Sequence, residues 1–477
     1  MEIREAEPNI WEVSPEGDMR VPARIYGTKH MIDQLTQERS TEWSALQQLM
    51  NVATLPGIQR YALGMSDIHP GYGAPIGGVG AFDMKEGIVN FALTGFDINC
   101  GVRCIKLPLK KEDVVKKQKE LGEAFFNAIP AGLGSEGELR LTPQQLDTVM
   151  VEGSRYALER GYGIESDLHF TEENGRVDGA DTSAVSQRAR QRALRQIGTL
   201  GSGNHYAEVQ YVSDVFHEEA AEAYGLEKGG VEIMIHCGSR ALGHQIGTDY
   251  LETLTAASKK YGLPIREREL VGAPVQSEEG QAYLKAVRCG INAAFCNRQV
   301  LTHLTRVAVR KVFPEIKDDE IEVLYDVAHN TAKVEKYGGK EFVIGRKGAT
   351  RAFGPGNPAV PREYQKVGQP VLIGGTMATG SYILAGTKIA EETTFGSSCH
   401  GAGRLLSRER AKRTWRGEAL KDEMAKQGIL AMGHSWAGLA EEAPGAYKDV
   451  DEVVGVMHDT GVSLKVVRAR PLIVVKG

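Results

Sequence analysis

Apolar positions along this chain follow two periods. Helical spacing runs through 32–52, 114–128, 143–161 and, longest of all, 281–312. The last predicts a long buried helix that carries Cys289 and Cys296 seven residues apart on one face. Short apolar runs bounded by turn residues predict strands at 88–93, 207–212, 231–235, 321–327 and 465–476. Residues 64–107, 338–356 and 368–386 are glycine-rich with strand-like pieces, and 165–187 is polar and reads as an exposed loop. A basic helix with Arg188, Arg190, Arg192 and Arg195 follows and ends at Gly198, and 405–427 reads as a charged helix. There is no internal repeat and no clean linker, and the pattern by itself leaves the fold open.

Glycine changes that picture. Its 56 occurrences in 477 residues come to about 12%, against a usual ~7%. They gather beside histidine, cysteine and aspartate rather than spreading evenly, where they let backbone approach a ligand closely. The main groups are Gly95-Phe96-Asp97-Ile98-Asn99-Cys100-Gly101, Gly203-Asn204-His205 and His236-Cys237-Gly238-Ser239-Arg240, and Ala328-His329-Asn330 joins them with a small and a turn-forming neighbour in place of glycine. A lone Asp-x-x-Cys reads more simply as a turn residue and a small buried hydrophobe. Four such turns together favour ligation: Asp97, Cys100, His205, His236 and His329 suit a borderline transition metal, and a sulfur can bridge two ions. His69 and His244 fall just outside that set, with Asp67 as an orienting carboxylate.

His400-Gly401-Ala402-Gly403-Arg404 differs in kind. Its small residues expose N–H groups, Arg404 offers a phosphate fork, and a helix expected from Leu405 onward would put an anion at its N-terminus. A histidine facing phosphate can act as a nucleophile. On this segment alone that reading and a plain helix-capping turn weigh equally. Spacings of four would set Arg404, Arg408 and Lys412 on one helical face, ordinarily a solvated one.

Net charge is −5, which excludes a basic nucleic-acid coater and leaves any RNA contact to local patches. No apolar run is long enough for a transmembrane helix, the acidic start lacks a signal-peptide core, and six scattered cysteines do not make a disulfide framework. A cytoplasmic location is the default expectation. Two nucleotide motifs are missing. Gly339-Lys340 is followed by Glu341, so there is no phosphate-binding Gly-Lys-Ser/Thr loop, and no Lys-x-Asp-Gly nucleophile motif occurs.

In order along the chain, Gly-Phe-Asp-Ile-Asn-Cys-Gly-Val-Arg (95–103), Gly-Asn-His-Tyr-Ala-Glu (203–208), His-Cys-Gly-Ser-Arg (236–240), Arg-Lys-Gly-Ala-Thr-Arg-Ala-Phe (346–353), Cys-His-Gly-Ala-Gly-Arg (399–404) and the terminal Val-Lys-Gly resemble the RtcB family, in its archaeal and eukaryotic branch. These are GTP-dependent RNA ligases that join a 2′,3′-cyclic phosphate or 3′-phosphate end to a 5′-hydroxyl end. The resemblance implies a mixed α/β (α+β) fold in one large unit, residues 1–477. It implies two Mn2+ ions on Asp97, Cys100, His205, His236 and His329, and His400 as the residue that carries GMP. Guanylate contacts carry over to Asn204, His205, Tyr206, Ala207, Glu208, His329, Asn330, Gly374, Gly375, Thr376, Met377, Ser381, His400, Gly401, Ala402, Gly403, Tyr447 and Lys476. Arg192, Arg240, Lys347 and Arg404 match positions for RNA or nucleotide phosphates. Gly345 departs from the family pattern, in which this position is often a histidine. Implied partners are RNA ends, by default split tRNA exons, and an archease-type activator, with no membrane. A phosphoesterase that only opens cyclic phosphates and a non-catalytic RNA-binding subunit are the rival readings. The first gives His400 no covalent role, and net acidity argues against the second.

Overall fold

A computed structural model describes residues 2–37, 44–132 and 134–477. Two large sheets dominate. The seven-stranded sheet runs, in spatial order, Ile3–Glu7, Ile10–Val13, Ala23–Tyr26, Ala62–His69, Ile76–Asp83, Lys340–Lys347, Asn330–Tyr337. The main path of the eight-stranded sheet is Glu322–Ala328, Gly101–Lys110, Gly230–Cys237, Tyr206–Val215, Ser463–Lys476, Ser381–Gly386, Pro370–Ile373. Leu430–Gly433 adds to it in parallel, alongside Ile473 to Lys476. Most pairings are antiparallel, and Ala23–Tyr26 with Ala62–His69 is a second parallel one, so the fold is mixed α+β, as expected.

The predicted strands at 207–212, 231–235, 321–327 and 465–476 all lie in the eight-stranded sheet, within longer strands. The 88–93 run shortens to Ile88–Asn90, paired with Gly272–Pro274. The long apolar period becomes the helix Glu278–Val312, 35 residues capped by the Ser277 side chain. It is buried over most of its length because its polar residues also find partners inside.

Six expectations need correction. The basic helix is Gln187–Ala193, so it stops short of Arg195 and Gly198, and the 114–128 helix is interrupted at Lys117 between Lys111–Lys116 and Gln118–Ala128. The 165–187 segment is not simply an exposed loop: Asp167, Leu168, Thr171 and Glu172 are buried. Its carboxylates enter because buried cations meet them, Arg306 on Asp167 at 2.6 Å and Lys333 on Glu172 at 2.7 Å. The helix predicted over 143–161 breaks at Gly153, which takes φ +57 between Pro143–Glu152 and Ser154–Leu158. The charged helix over 405–427 is two, Arg408–Thr414 and Gly417–Lys426, and the first is capped by Ser407. Arg404 therefore precedes the helix instead of sharing its face, and no helix starts at Leu405 to receive an anion. The 32–52 helix is also two, Lys29–Gln37 and Ala45–Val52, while 38–43 lies outside the described residues.

Candidate active site

Neighbouring strand ends bring the candidate ligands together. Asp97 and Cys100 occupy the turn entering Gly101–Lys110, His205 immediately precedes Tyr206–Val215, and His236 is the penultimate residue of Gly230–Cys237. Register places Gly101 opposite both Cys237 and Ala328, and Tyr206 opposite His236. His329 sits where the chain leaves the eight-stranded sheet at Ala328 and enters the seven-stranded sheet at Asn330. Its N–H donates to the Cys100 carbonyl at 2.8 Å.

The donor atoms converge. Cys100 Sγ lies 3.3 Å from His205 Nε2 and 3.2 Å from His236 Nε2. His236 Nε2 is 3.2 Å from His329 Nε2, and His205 Nε2 is 2.9 Å from Asp97 Oδ2. Two trios result, Cys100–His236–His329 and Asp97–Cys100–His205, which share the sulfur. The second ring nitrogens fix the tautomers. His205 Nδ1 meets the Leu200 carbonyl and His236 Nδ1 the Asn204 carbonyl, each at 3.0 Å, so these nitrogens carry the protons. Burial pushes His205 down, but Cys100 and Asp97 override it and hold it well above the usual histidine range, so a metal would displace a proton from its Nε2. The His236 Nε2 lone pair points at a sulfur and at His329 Nε2. A cation among them turns that repulsion into ligation, so the donor set fits a metal, and the two trios fit two. Burial and the neighbouring histidines hold His236 and His329 well below the usual histidine range, in the neutral form a ligand needs. Burial and the Asp97 charge push the bare Cys100 thiol up to about 12, so a metal would be what makes it a thiolate. Gly238 is required by close approach: a Cβ there would lie 2.2 Å from Asp97 Oδ1.

The long helix supports this cluster from behind. Arg298, fully buried, donates from Nη1 to the carbonyls of Asn99 and Cys237, both at 2.8 Å. Its Nε and Nη2 grip Asp326 at 2.8 and 2.9 Å, and Arg103 Nε reaches the same carboxylate at 2.7 Å. Asn297 donates to the Gly238 carbonyl and accepts from the N–H groups of Gly198 and Thr199. Sequence reasoning passed over both residues, because nothing in a helical apolar period marks which polar positions reach backward to a site.

His400 follows the short strand Ser397–Ser398 and is held by Asp67, from the seven-stranded sheet. Asp67 Oδ2 accepts from His400 Nδ1 at 2.5 Å and from the His400 and Gly401 N–H groups at 2.9 and 3.3 Å. Burial pushes the Asp67 carboxyl up, but His400 overrides it and holds the group below its usual range. With its Nδ1 on Asp67, His400 keeps Nε2 for the cavity, and its ring centroid is 4.8 Å from that of His329. Asp67 thus orients His400, not a metal ligand. His69 Nδ1 turns to the Asp67 carbonyl at 2.9 Å, and His244 stacks on Phe96.

One cavity of about 800 Å³ joins these parts. The five ligand candidates and His400 line it, as do Asn204, Tyr206, Asn330, Gly374 to Met377, Gly401 to Gly403, Tyr447 and Lys476. Ala207, Glu208 and Ser381 do not line it. Glu208 and Ser381 are bridged behind it by the Gln210 amide, and burial raises Glu208 to about 7 against the pull of Lys476. Arg192, Arg240 and Lys347 also line it. Lys347 gives its protons to the carbonyls of Tyr72 and Ala74 at 2.6 and 3.0 Å, and burial lowers it to about 7. Arg404 lines the cavity with its guanidinium committed to Glu442, Tyr447 and the carbonyls of Leu406 and Glu441, so it braces the wall rather than presenting an open fork. Glu442, which also pairs with Lys476 at 3.5 Å, is a further residue the sequence did not single out. Gly345 lies within Lys340–Lys347, away from the cavity lining.

The family model for tRNA-splicing ligase RtcB matches residues 48–477. The chain belongs to this ligase family. It is 52% identical over 474 residues to a tRNA-splicing ligase RtcB of Thermococcus kodakarensis, covering 98% of this chain and 97% of the relative. A namesake from Archaeoglobus fulgidus is 50% identical with the same coverage, and one from Nanoarchaeum equitans is 43% identical over 100% of both chains. RtcB membership makes the chain an enzyme and agrees with the archaeal branch read from its motifs. Among the described residues no helix is long and apolar enough to cross a membrane.

Proposed function

We propose that this chain is a GTP- and Mn2+-dependent RNA ligase. It would join 2′,3′-cyclic phosphate or 3′-phosphate ends to 5′-hydroxyl ends through a guanylylated His400, with all of 1–477 as the catalytic domain. The observation that carries this reading is the Asp67–His400 pair. A carboxylate on Nδ1 leaves Nε2 as the nucleophilic atom, and it opens on a cavity that holds both the metal-competent trios and room for a nucleotide.

The chain's residues divide the work as follows. His400 Nε2 attacks the α-phosphorus of GTP, the bond to pyrophosphate breaks, and Asp67 balances the positive ring that forms. The N–H-rich turn Gly401 to Gly403, with Gly374 to Met377, Asn204 and Asn330, lies where guanylate would rest, while Tyr447 and Lys476 close one wall. Glu208 and Ser381 stand behind that wall with Ala207. Where the end is a cyclic phosphate, water first adds to its phosphorus and the bond to O2′ breaks, leaving a 3′-phosphate and a 2′-hydroxyl. GMP then passes from His400 to an oxygen of the 3′-phosphate, which returns the histidine to its neutral form. The RNA 5′-hydroxyl attacks that activated phosphorus and GMP departs. Arg192 and Arg240 are the cavity cations available to RNA phosphates, while Lys347, lowered by burial to about 7 and donating to two carbonyls, offers a proton more than a fixed charge. Bound at Asp97, Cys100, His205, His236 and His329, manganese would supply Lewis-acid polarisation of the phosphates. Cytoplasmic tRNA exon halves are the expected substrates, with an archease-type protein as activator.

Intact mass after incubation with GTP and Mn2+ tests this. A GMP-sized, acid-labile adduct is expected on the parent and not on His400→Ala, followed by joining of a cyclic-phosphate RNA. No adduct on folded, metal-loaded protein with archease added would overturn the reading in favour of a phosphoesterase.

A further inference from the structure

One basic surface lies outside the cavity and is not used by the chemistry above. Between Arg404 and Arg416 the chain carries Arg404, Arg408, Arg410, Lys412, Arg413 and Arg416 against the single acid Glu409, in a protein of net charge −5. Arg404 and Arg408 line the cavity and are engaged with Glu442 and Glu441. Arg410, Arg413 and Arg416 are exposed and make no ion pair among the described residues.

Beside them stands an exposed indole. Trp436 opens the helix Trp436–Glu441 and is 54% exposed, although it is large and apolar. Its neighbour Trp415 is half-buried and packs on the cluster around Leu420, Met424 and Leu439. The two tryptophans border a cleft of about 290 Å³ with Lys412, Arg416 and one carboxylate, Glu418. Lys412 is paired with Glu409, which leaves Arg416 as the cleft's uncommitted cation among the described residues. The Trp436 backbone is pinned, because Gly417 admits it so closely that a Cβ there would lie 2.2 Å from the Trp436 carbonyl oxygen. The Lys421 ammonium lies 5.7 Å from the centre of the Trp436 ring. Within Arg408–Thr414, Arg408 borders the active-site cavity and Lys412, one turn on, borders the cleft, so one short helix contributes to both openings.

We propose that this cleft is a binding site for a single-stranded segment of the RNA substrate, one base stacking on Trp436, the flanking phosphate lying against Arg416, and the strand leaving the cleft past Arg413 and Arg410 on the adjoining helix. A fixed, exposed aromatic ring beside unpaired cations is the combination that holds a single strand without reading its sequence. An apolar partner would match the ring but leave three guanidiniums unanswered, whereas a polyanion with aromatic bases answers both. This rests on the RNA-ligase reading, and its test is separable from it.

The test uses full-length protein and a 20-nucleotide single-stranded RNA with a 3′-phosphate. Guanylylation by GTP and Mn2+ without RNA is measured beside RNA affinity. Trp436→Ala is expected to bind about tenfold more weakly, Trp436→Phe to recover most of that loss, and both to guanylylate as the parent does. Arg410→Gln/Arg413→Gln/Arg416→Gln is expected to lower the slope of log affinity against log salt by about 2. RNA affinity and salt slope unchanged in these variants would overturn the proposal. Unchanged RNA binding with a Trp436-dependent dimer in sedimentation would overturn it too and assign the cleft to a second copy of the chain. A parent that binds RNA through Trp436 but forms no adduct would sink the ligase reading and leave this one standing.

Discussion

The metal-competent cluster and the 404–441 surface both gather charge, but they do so by opposite means. In the cluster the scaffold is fixed from behind: carbonyls hold the second nitrogens of His205 and His236, Arg298 holds the Asn99 and Cys237 turns, and Asp326 holds Arg298. On the surface, Arg410 and Arg413 in Arg408–Thr414 and Arg416 just before Gly417–Lys426 are exposed and form no ion pair among the described residues. The first arrangement suits chemistry, where atoms must stand within a fraction of an ångström. The second suits a flexible polyanion, whose charges arrive in no fixed geometry. Changes in the cluster should therefore be large and all-or-none, and changes on the surface small and graded.

The largest effects fall on the two residues that no neighbour can replace. Cys100 belongs to both trios, so Cys100→Ala should abolish tight binding at both positions, read as metal-to-protein stoichiometry after dialysis against Mn2+. His400→Ala should keep the metal and lose the adduct. A Cys100→Ala protein that keeps two tightly held ions would break the shared-sulfur reading.

Next comes the support behind the ligands. Arg298→Met removes one of the two buried cations on Asp326, leaving Arg103, and two carbonyl anchors at once. A buried, half-broken ion pair typically costs about 3–5 kcal/mol, so a marked fall in denaturant midpoint is expected. Weakened metal retention should appear even below the unfolding transition. Loss of stability with metal affinity intact would reduce Arg298 to a core residue.

A pH effect separates the buried scaffold from both regions. Burial pushes the Glu172 carboxyl up, and Arg351 and Lys333 override it and hold it at about 2, against an ordinary 4.5. Because the folded value is depressed, its contribution is present in full above about 4.5 and is lost as pH falls toward 2. It is on the order of 3 kcal/mol. Glu172→Gln should therefore flatten acid unfolding between pH 4.5 and 2, as followed by circular dichroism. An unchanged profile would mean that other carboxylates govern it.

How much of this was legible depends on whether a signal is local. Glycine beside histidine, cysteine or aspartate is local, and the turns at Asp97, Cys100, His205, His236 and His329 were readable because each needs close backbone approach. The long helix was readable from its period. Arg298, Asn297 and Glu442 were not, since a buried polar residue declares itself only through a partner distant in sequence: 28 positions for Arg298 with Asp326, 38 for Arg404 with Glu442. Asp67 was read as an orienting carboxylate, but its partner, His400, lies 333 positions away and could not be named. The polar segment around Asp167 and Glu172 misled for the same reason, as composition reports polarity and not pairing.

The smallest expected effect sharpens the comparison most. Arg410, Arg413 and Arg416 are exposed and unpaired among the described residues, so replacing any one by Gln removes no buried contact. Stability should move by less than about 0.5 kcal/mol, within the usual range for such sites. If the surface is graded as argued, each replacement should also weaken single-stranded RNA binding by a similar modest factor, and the factors should multiply, because separated, solvent-exposed cations act nearly independently. In the cluster the reverse holds: the effects of Cys100→Ala and His236→Ala should not add, since both dismantle one shared site. Strong non-additivity among the three arginines, measured by titration at fixed salt, would show that they form a structured pocket and that the contrast between the two regions is drawn in the wrong place.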